Sequence, residues 1–279
     1  MFRFSTIVFL SGVLNCAPAF SSILGTATNF AVLGGSTVTN GASVLNGNLG
    51  LYPGTSITGT GSIVFIGASA MHNSDAVAQQ AQTDAASAYL AFQSLPYTID
   101  LTGHNLGGLT LTPGVYRFTS SAQLTGLLTL DALGNPNSQF VFQIGTTLTT
   151  ASASNVTVIN GTQGTGVYFQ VGSSATLGTG STFAGNILAS KSITLTTNAK
   201  IECGRALADV GAVTLDTNVI SNNCASYNGT SGRSDFGSSG FDGTAIPQAV
   251  PEPGTIILMC FGALAMLLFR RGSGARLPV

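Results

Sequence analysis

The chain has 279 residues, enough for one large domain or two small ones. Only 7% of them are charged, against roughly 25% in an average soluble protein, and the net charge is −1. That balance argues against a nucleic-acid or polyanionic partner. Between Leu101 and Ala199 the only charges are Arg117, Asp131 and Lys191. No apolar run in the middle of the chain is long enough to span a bilayer. Instead Val, Ile, Leu and Phe alternate with Thr, Ser, Asn and Gly, the period-2 pattern of half-buried strands.

Residues 1–22 read as a secretory signal peptide. Arg3 precedes the apolar run IVFLSGVL, and Ala17-Pro18-Ala19 supplies the small-residue site, with cleavage expected after Ala19. Cys16 would leave with it. Residues 23–225 form the expected body. Its opening stretch, NFAVLGGSTVTNGASVLNGNLGLYPG, reads as short strands broken by tight glycine turns. Residues from about 73 to 95 break the alternation. Asn73 or Ser74 suits the helix cap, and Asp75 suits the first turn. Val77, Ala81, Ala85, Ala88, Phe92 and Leu95 then recur at three- and four-residue steps, the stripe of one amphipathic helix. Pro96 ends it.

Many short strands follow. Within them a plain phrase returns: TLTT at Thr147, TLGT at Thr176, TLTT at Thr194 and TLDT at Thr214. The spacing suits the coils of a β-solenoid, in which each turn adds one layer. A β-sandwich is the rival architecture. GNILA and GRALA, at Gly185 and Gly204, follow these phrases at matching distances and favour the solenoid.

Residues 226–249 are Gly- and Ser-rich with no apolar period, the composition of a flexible linker. Residues 250–279 carry Pro251-Glu252-Pro253, an apolar segment at 255–269 and then Arg270-Arg271. This arrangement resembles the PEP-CTERM sorting signal of Gram-negative bacteria. The resemblance implies export, transient passage through the inner membrane at 255–269, anchoring there before processing, an exosortase-type protease as partner, and a final place at the cell surface or outside. The exported segment retains a single pair of cysteines, Cys203 and Cys224, and an exported pair suggests a disulfide. It would close a loop of about 20 residues, contributing about 3 kcal/mol in the chain-entropy model.

The body itself is similar to the DUF3494-type ice-binding proteins of bacteria and fungi. The matching stretches run in order: LGTATNFAVLGGSTVTN, NGNLGLYPGTSITG, AQTDAASAY, LTLTPGVYRF, LTLDALGNPNSQFVFQIGTTLTTAS, GVYFQVGSSATLGTGSTFAGNILASKSITLTT and CGRALADVGAVTLDTNVIS. The resemblance implies a mostly β fold: a right-handed, discontinuous solenoid of triangular section, with one long helix alongside and N-terminal strands completing the C-terminal coils. It also implies adsorption to an ice crystal surface. Some members carry Thr-Ala/Gly-X-Thr/Asn on the ice-binding face. Thr179-Gly180-Ser181-Thr182 fits this in full, whereas Thr150-Ala151-Ser152-Ala153 fits it partially. Thr197-Asn198-Ala199-Lys200 and Thr217-Asn218-Val219-Ile220 keep only the first Thr, and Lys200 is an awkward charge for such a face. The expected ice-facing set is therefore Thr149, Thr150, Thr179, Ser181, Thr182, Thr196, Thr197 and Thr217.

Catalysis is not expected. Solenoid lyases and hydrolases need paired carboxylates or an acid with a basic partner. Here Asp131 and Asp216 stand singly, Glu202 neighbours the cysteine pair, and His104 lies in a loop-like TGHNLGG. No metal or cofactor site is expected, and the protein is expected to be a monomer. A non-catalytic surface or matrix adhesin that binds polysaccharide is the alternative.

Overall fold

Three-residue strands that point in, out and in again set the architecture. In the computed structural model, which describes residues 22–224 and 240–243, the strands Ala122–Leu124, Leu148–Thr150, Ala175–Leu177, Ile193–Leu195 and Val213–Leu215 bury both end residues. The middle residue of each projects outward. These strands pair in parallel, one above the next, and Thr37–Asn40 and Ser56–Thr58 extend the stack to a seven-stranded sheet.

This sheet is one of three walls. The wall that precedes it in each coil contains Gly114–Phe118, Gln139–Ile144 and Gly166–Val171. The wall that follows contains Leu127–Asp131, Asn155–Ile159 and Val219–Ser221. The two long strands Thr182–Ala189 and Lys200–Ala208 serve both of these walls. Their pairing shifts register between Phe183 and Ala184, where they bend from the third wall into the first. Gly185 and Gly204 sit side by side just beyond this bend, as the matching GNILA and GRALA phrases anticipate. A Cβ on Gly204 (φ 149°) would lie 1.9 Å from the carbonyl oxygen of Gly185, so only glycine fits there.

The stacking order is not the chain order. Phe30–Gly34, Thr37–Asn40 and Val44–Asn46 pair with Lys200–Ala208, Val213–Leu215 and Val219–Ser221. The N-terminal coils therefore sit on the C-terminal one, as the resemblance implies. The chain must then travel to the opposite end of the stack to begin its next coil at Ile99–Asp100. Helix α1, Ala76–Ser94, makes that journey along the first wall. Its 19 residues span about 28 Å at 1.5 Å per residue, or about six layers of strands.

Helix α1 buries Ala81, Ala85, Ala88 and Phe92 against Leu33, Val141, Tyr168, Leu188 and Leu207, and Ala78 is buried as well. Two details differ from the sequence expectation. Asp75 is the cap, its carboxylate accepting from the Ala78 N–H at 2.8 Å, so the helix begins at Ala76. Val77 is 48% exposed, and Ala78, one step along, takes its place in the stripe. Small alanines let the helix lie close to the sheet.

Inside the coils Tyr116, Phe142, Phe169 and Phe183 stack layer on layer, with centroids 5.3, 4.4 and 4.7 Å apart. Cys203 and Cys224 form the disulfide suggested by their isolation as a pair, with Cα atoms 5.2 Å apart. It ties the end of the last C-terminal coil to a central strand.

The expected free linker of residues 226–249 is corrected at its middle. Phe241 is fully buried in the main core. Its carbonyl accepts from the Val167 N–H at 3.1 Å and from Asn186 Nδ2 at 2.8 Å. Beside it Arg205, 1% exposed, donates from Nη1 to Gly240 O and Asn186 Oδ1, and from Nε and Nη2 to Thr28 O. Burial pushes the guanidinium down to about 10, and it also raises the Asp242 carboxyl against the pull of Arg205. The Tyr168 hydroxyl donates to the Asp242 carbonyl. A single aromatic in a Gly- and Ser-rich stretch thus becomes a plug, held by the backbone and one buried cation.

Phe241→Ala is expected to cost about 3–5 kcal/mol, the range for emptying a buried Phe site. Reducing Cys203–Cys224 is expected to cost about 3 kcal/mol. Thermal unfolding of the purified protein measures both; a melting curve that does not move would remove the plug, or the disulfide, from the list of stabilising elements.

Candidate functional site

The in–out–in pattern of the second wall has a geometric consequence. Parallel pairing places Gln123, Thr149, Thr176, Thr194, Thr214, Thr39 and Thr58 in one outward column. Six consecutive layers present threonine, spaced by the strand separation of about 4.7–4.9 Å. Each of these side chains is β-branched and stiff at χ1, so the column holds its methyls and hydroxyls in repeated positions. The phrase beginning at Thr147 is offset: Thr149, not Thr147, lies beside Thr176.

A corner follows each of these strands. Residues Ala153, Gly180, Asn198 and Thr217 take positive φ there, at 56°, 65°, 59° and 54°, and turn the chain toward the third wall. The next residue, Ser154, Ser181, Ala199 or Asn218, is buried under the corner. Thr179 is exposed, with its Oγ1 3.3 Å from Thr196 Oγ1, and Thr196 in turn donates to Leu177 O at 2.8 Å. Thr197 donates to Asp216 Oδ2 at 2.5 Å.

The eight expected residues therefore separate. Thr149 stands in the column. Thr179, Thr196, Thr197 and Thr217 border it at the corner. Thr182 heads the third wall, paired with Asn155 and Lys200. Two expectations are corrected. Thr150 is 3% exposed because it points inward, where its Oγ1 accepts from the Gly178 N–H at 2.8 Å. Ser181 is fully buried and donates to Gly178 O at 2.6 Å. Neither presents its side chain to a flat external surface. Lys200, awkward in the sequence motif, falls on the third wall beside Thr182 and Val219 rather than in the column.

Five column threonines were not in the expected set: Thr39, Thr58, Thr176, Thr194 and Thr214. For the last three the signal was the first letter of the repeated phrase. Thr39 and Thr58 lie in TVTN and SITG, and only the discontinuous stacking brings them into line.

The other walls differ. The first lies under α1. The third presents Leu127, Asn155, Thr182, Lys200, Val219, Val44 and Val64 in its equivalent column, a mixture without common chemistry. Asp131 accepts from Asn160 Nδ2 at 2.8 Å and from the Leu133 N–H at 2.9 Å, bonds that hold its carboxyl below the usual range and fix a turn. Among the described residues no group of three or more His, Cys, Asp or Glu is placed to hold a metal, and no helix is long and apolar enough to cross a membrane. Pro251, Glu252, Pro253, Arg270, Arg271 and the segment 255–269 lie outside the described residues.

Residues 32–221 match the ice-binding-like family, and residues 249–271 match the PEP-CTERM protein-sorting motif. An ice-binding protein of Nostoc sp. (strain HG1) is 52% identical over 267 residues, covering 94% of this chain and 91% of that one. Another, from Flavobacterium frigoris (strain PS1), is 31% identical, covering 71% and 75%. Among solved structures, the ice-binding protein of the Antarctic ascomycete Antarctomyces psychrotrophicus superposes with a TM-score of 0.67 at 42% identity, covering 71% of this chain and 96% of that one. A second, from an Antarctic biological consortium, gives 0.68 at 41% identity, covering 79% and 95%. With its three walls, its crossing helix and a family match over most of its length, the chain belongs to the ice-binding-like family.

Proposed function

We propose that this is an exported, non-catalytic, monomeric protein that adsorbs to ice through the threonine column of its second wall. The observation that carries the reading is the register that aligns Thr149, Thr176, Thr194, Thr214, Thr39 and Thr58. A threonine methyl orders the water beside it, and the hydroxyl hydrogen-bonds to that water. Held stiffly on a flat sheet at a fixed repeat, these groups organise a water layer that can merge with a crystal. Ice then grows only between adsorbed molecules, its surface curves, and further growth is disfavoured.

The PEP-CTERM motif implies export and membrane anchoring before exosortase-type processing. The proposed destination is the cell surface or the medium, reached by passage of residues 255–269 through the inner membrane. The disulfide fits an oxidising compartment.

Crystal shaping and recrystallisation inhibition by the purified protein test the reading. Faceted crystals and small grains are expected at micromolar protein. Thr176→Tyr, in the middle of the column, is expected to abolish faceting by breaking flatness while leaving the melting temperature unchanged. Thr150→Val is expected to do the reverse: faceting stays, and stability drops by about 1 kcal/mol because the half-buried Gly178 N–H loses its acceptor. Round crystals from folded wild-type protein would overturn the reading and turn attention to polysaccharide. Full activity in Thr176→Tyr would move the ice contact to another wall.

A further inference from the structure

On the side of the third wall one charge interrupts the border of the threonine column; the opposite border, where the chain enters these strands, carries Lys191 and Asp209. The corner segments at residues 41–43, 59–62, 125–126, 151–153, 178–181 and 196–199 contain no Asp, Glu, Lys or Arg. The equivalent corner after Val213–Leu215 begins with Asp216. Its carboxylate is exposed beside the column, one residue past Leu215, which pairs with Leu195 on one side and Asn40 on the other.

Asp216 also engages its neighbours. Its Oδ2 accepts the Thr197 hydroxyl at 2.5 Å, and its Oδ1 accepts the Thr217 hydroxyl at 3.4 Å. The corresponding hydroxyl one coil away, that of Thr179, meets only another threonine, Thr196, at 3.3 Å. Thr197 and Thr217 thus direct their protons to a carboxylate instead of to water outside. A carboxylate holds water in an ion-centred shell, and pressing a crystal that cannot accommodate charge against it requires stripping that shell. The charge and the diverted hydroxyls act in the same direction.

We propose that Asp216 sets the corner-side edge of the ice contact, keeping Thr197 and Thr217 out of it and limiting adsorption to the column. This rests on the reading of the column as the ice-binding face. Removing the charge widens the contact to include the corner threonines. Asn is nearly isosteric with Asp and sits here on an exposed position, so Asp216→Asn preserves the fold.

The test is adsorption of the purified protein to an ice surface, measured as the concentration needed for half-maximal coverage, together with melting temperature. Asp216→Asn and Asp216→Ser are each expected to lower that concentration several-fold with no change in melting temperature, and Asp216→Glu to leave it at the wild-type level. Thr197→Val alone is expected to change little, because its hydroxyl is already engaged. Combined with Asp216→Asn, it is expected to erase most of the gain, a coupling that a double-mutant cycle reads directly. Unchanged or weaker adsorption in both Asp216→Asn and Asp216→Ser, with Thr176→Tyr still inactive, would overturn this proposal alone. Full adsorption in Thr176→Tyr would remove the column reading and this proposal with it.

Discussion

Parallel, in-register pairing is the constraint on which the rest of the molecule depends. When strands stack residue on residue, every position in a coil becomes a column along the stack. One apolar residue per coil becomes a core ladder such as Leu148, Ala175, Ile193, Val213 and Val38. One threonine per coil becomes an external row. In the proposed reading no single coil makes the ice contact; the stacked row does. The low share of charged residues, 7%, fits that reading, in which the recognising element is a repeat distance that charged groups would disturb.

The same constraint explains the unusual path of the chain. A stack has two ends, and coils added at both ends must be joined by something that runs along its side. Helix α1 does this because its rise carries the chain past about six layers within one element. Its alanine stripe keeps it close to the first wall, whose central strands it covers. Stacking the N-terminal coils on the C-terminal ones also lengthens the threonine row by Thr39 and Thr58. The disulfide and the Phe241 plug both act near this junction, where strands distant in sequence meet.

Period-2 alternation, the helical stripe and the returning TLxT phrase made the strands, the helix and the stacking legible in sequence. What they left open was direction. Thr149 and Thr150 are adjacent and chemically identical, and only the register says that one faces out and the other accepts a backbone N–H inside. Ser181 was drawn into the motif by its neighbours, but the positive φ of Gly180 turns it under the corner. Thr39 and Thr58 needed a topology that no local pattern contains. Phe241 was hidden by composition: a stretch rich in Gly and Ser reads as linker, and one aromatic residue does not shift that average.

Arg205 shows how a chain so poor in charge uses one. A buried guanidinium is costly unless its donors are satisfied. Here the donors reach Thr28 O near the N-terminus, Asn186 Oδ1 in the middle and Gly240 O beyond the disulfide. The planar fork can address several acceptors at once, which an ammonium on a flexible stem does less well. One buried charge thus serves where the discontinuous chain has to be joined, and the threonine row itself carries none. Around that wall Asp216, Lys191 and Asp209 lie at the corners rather than in the row.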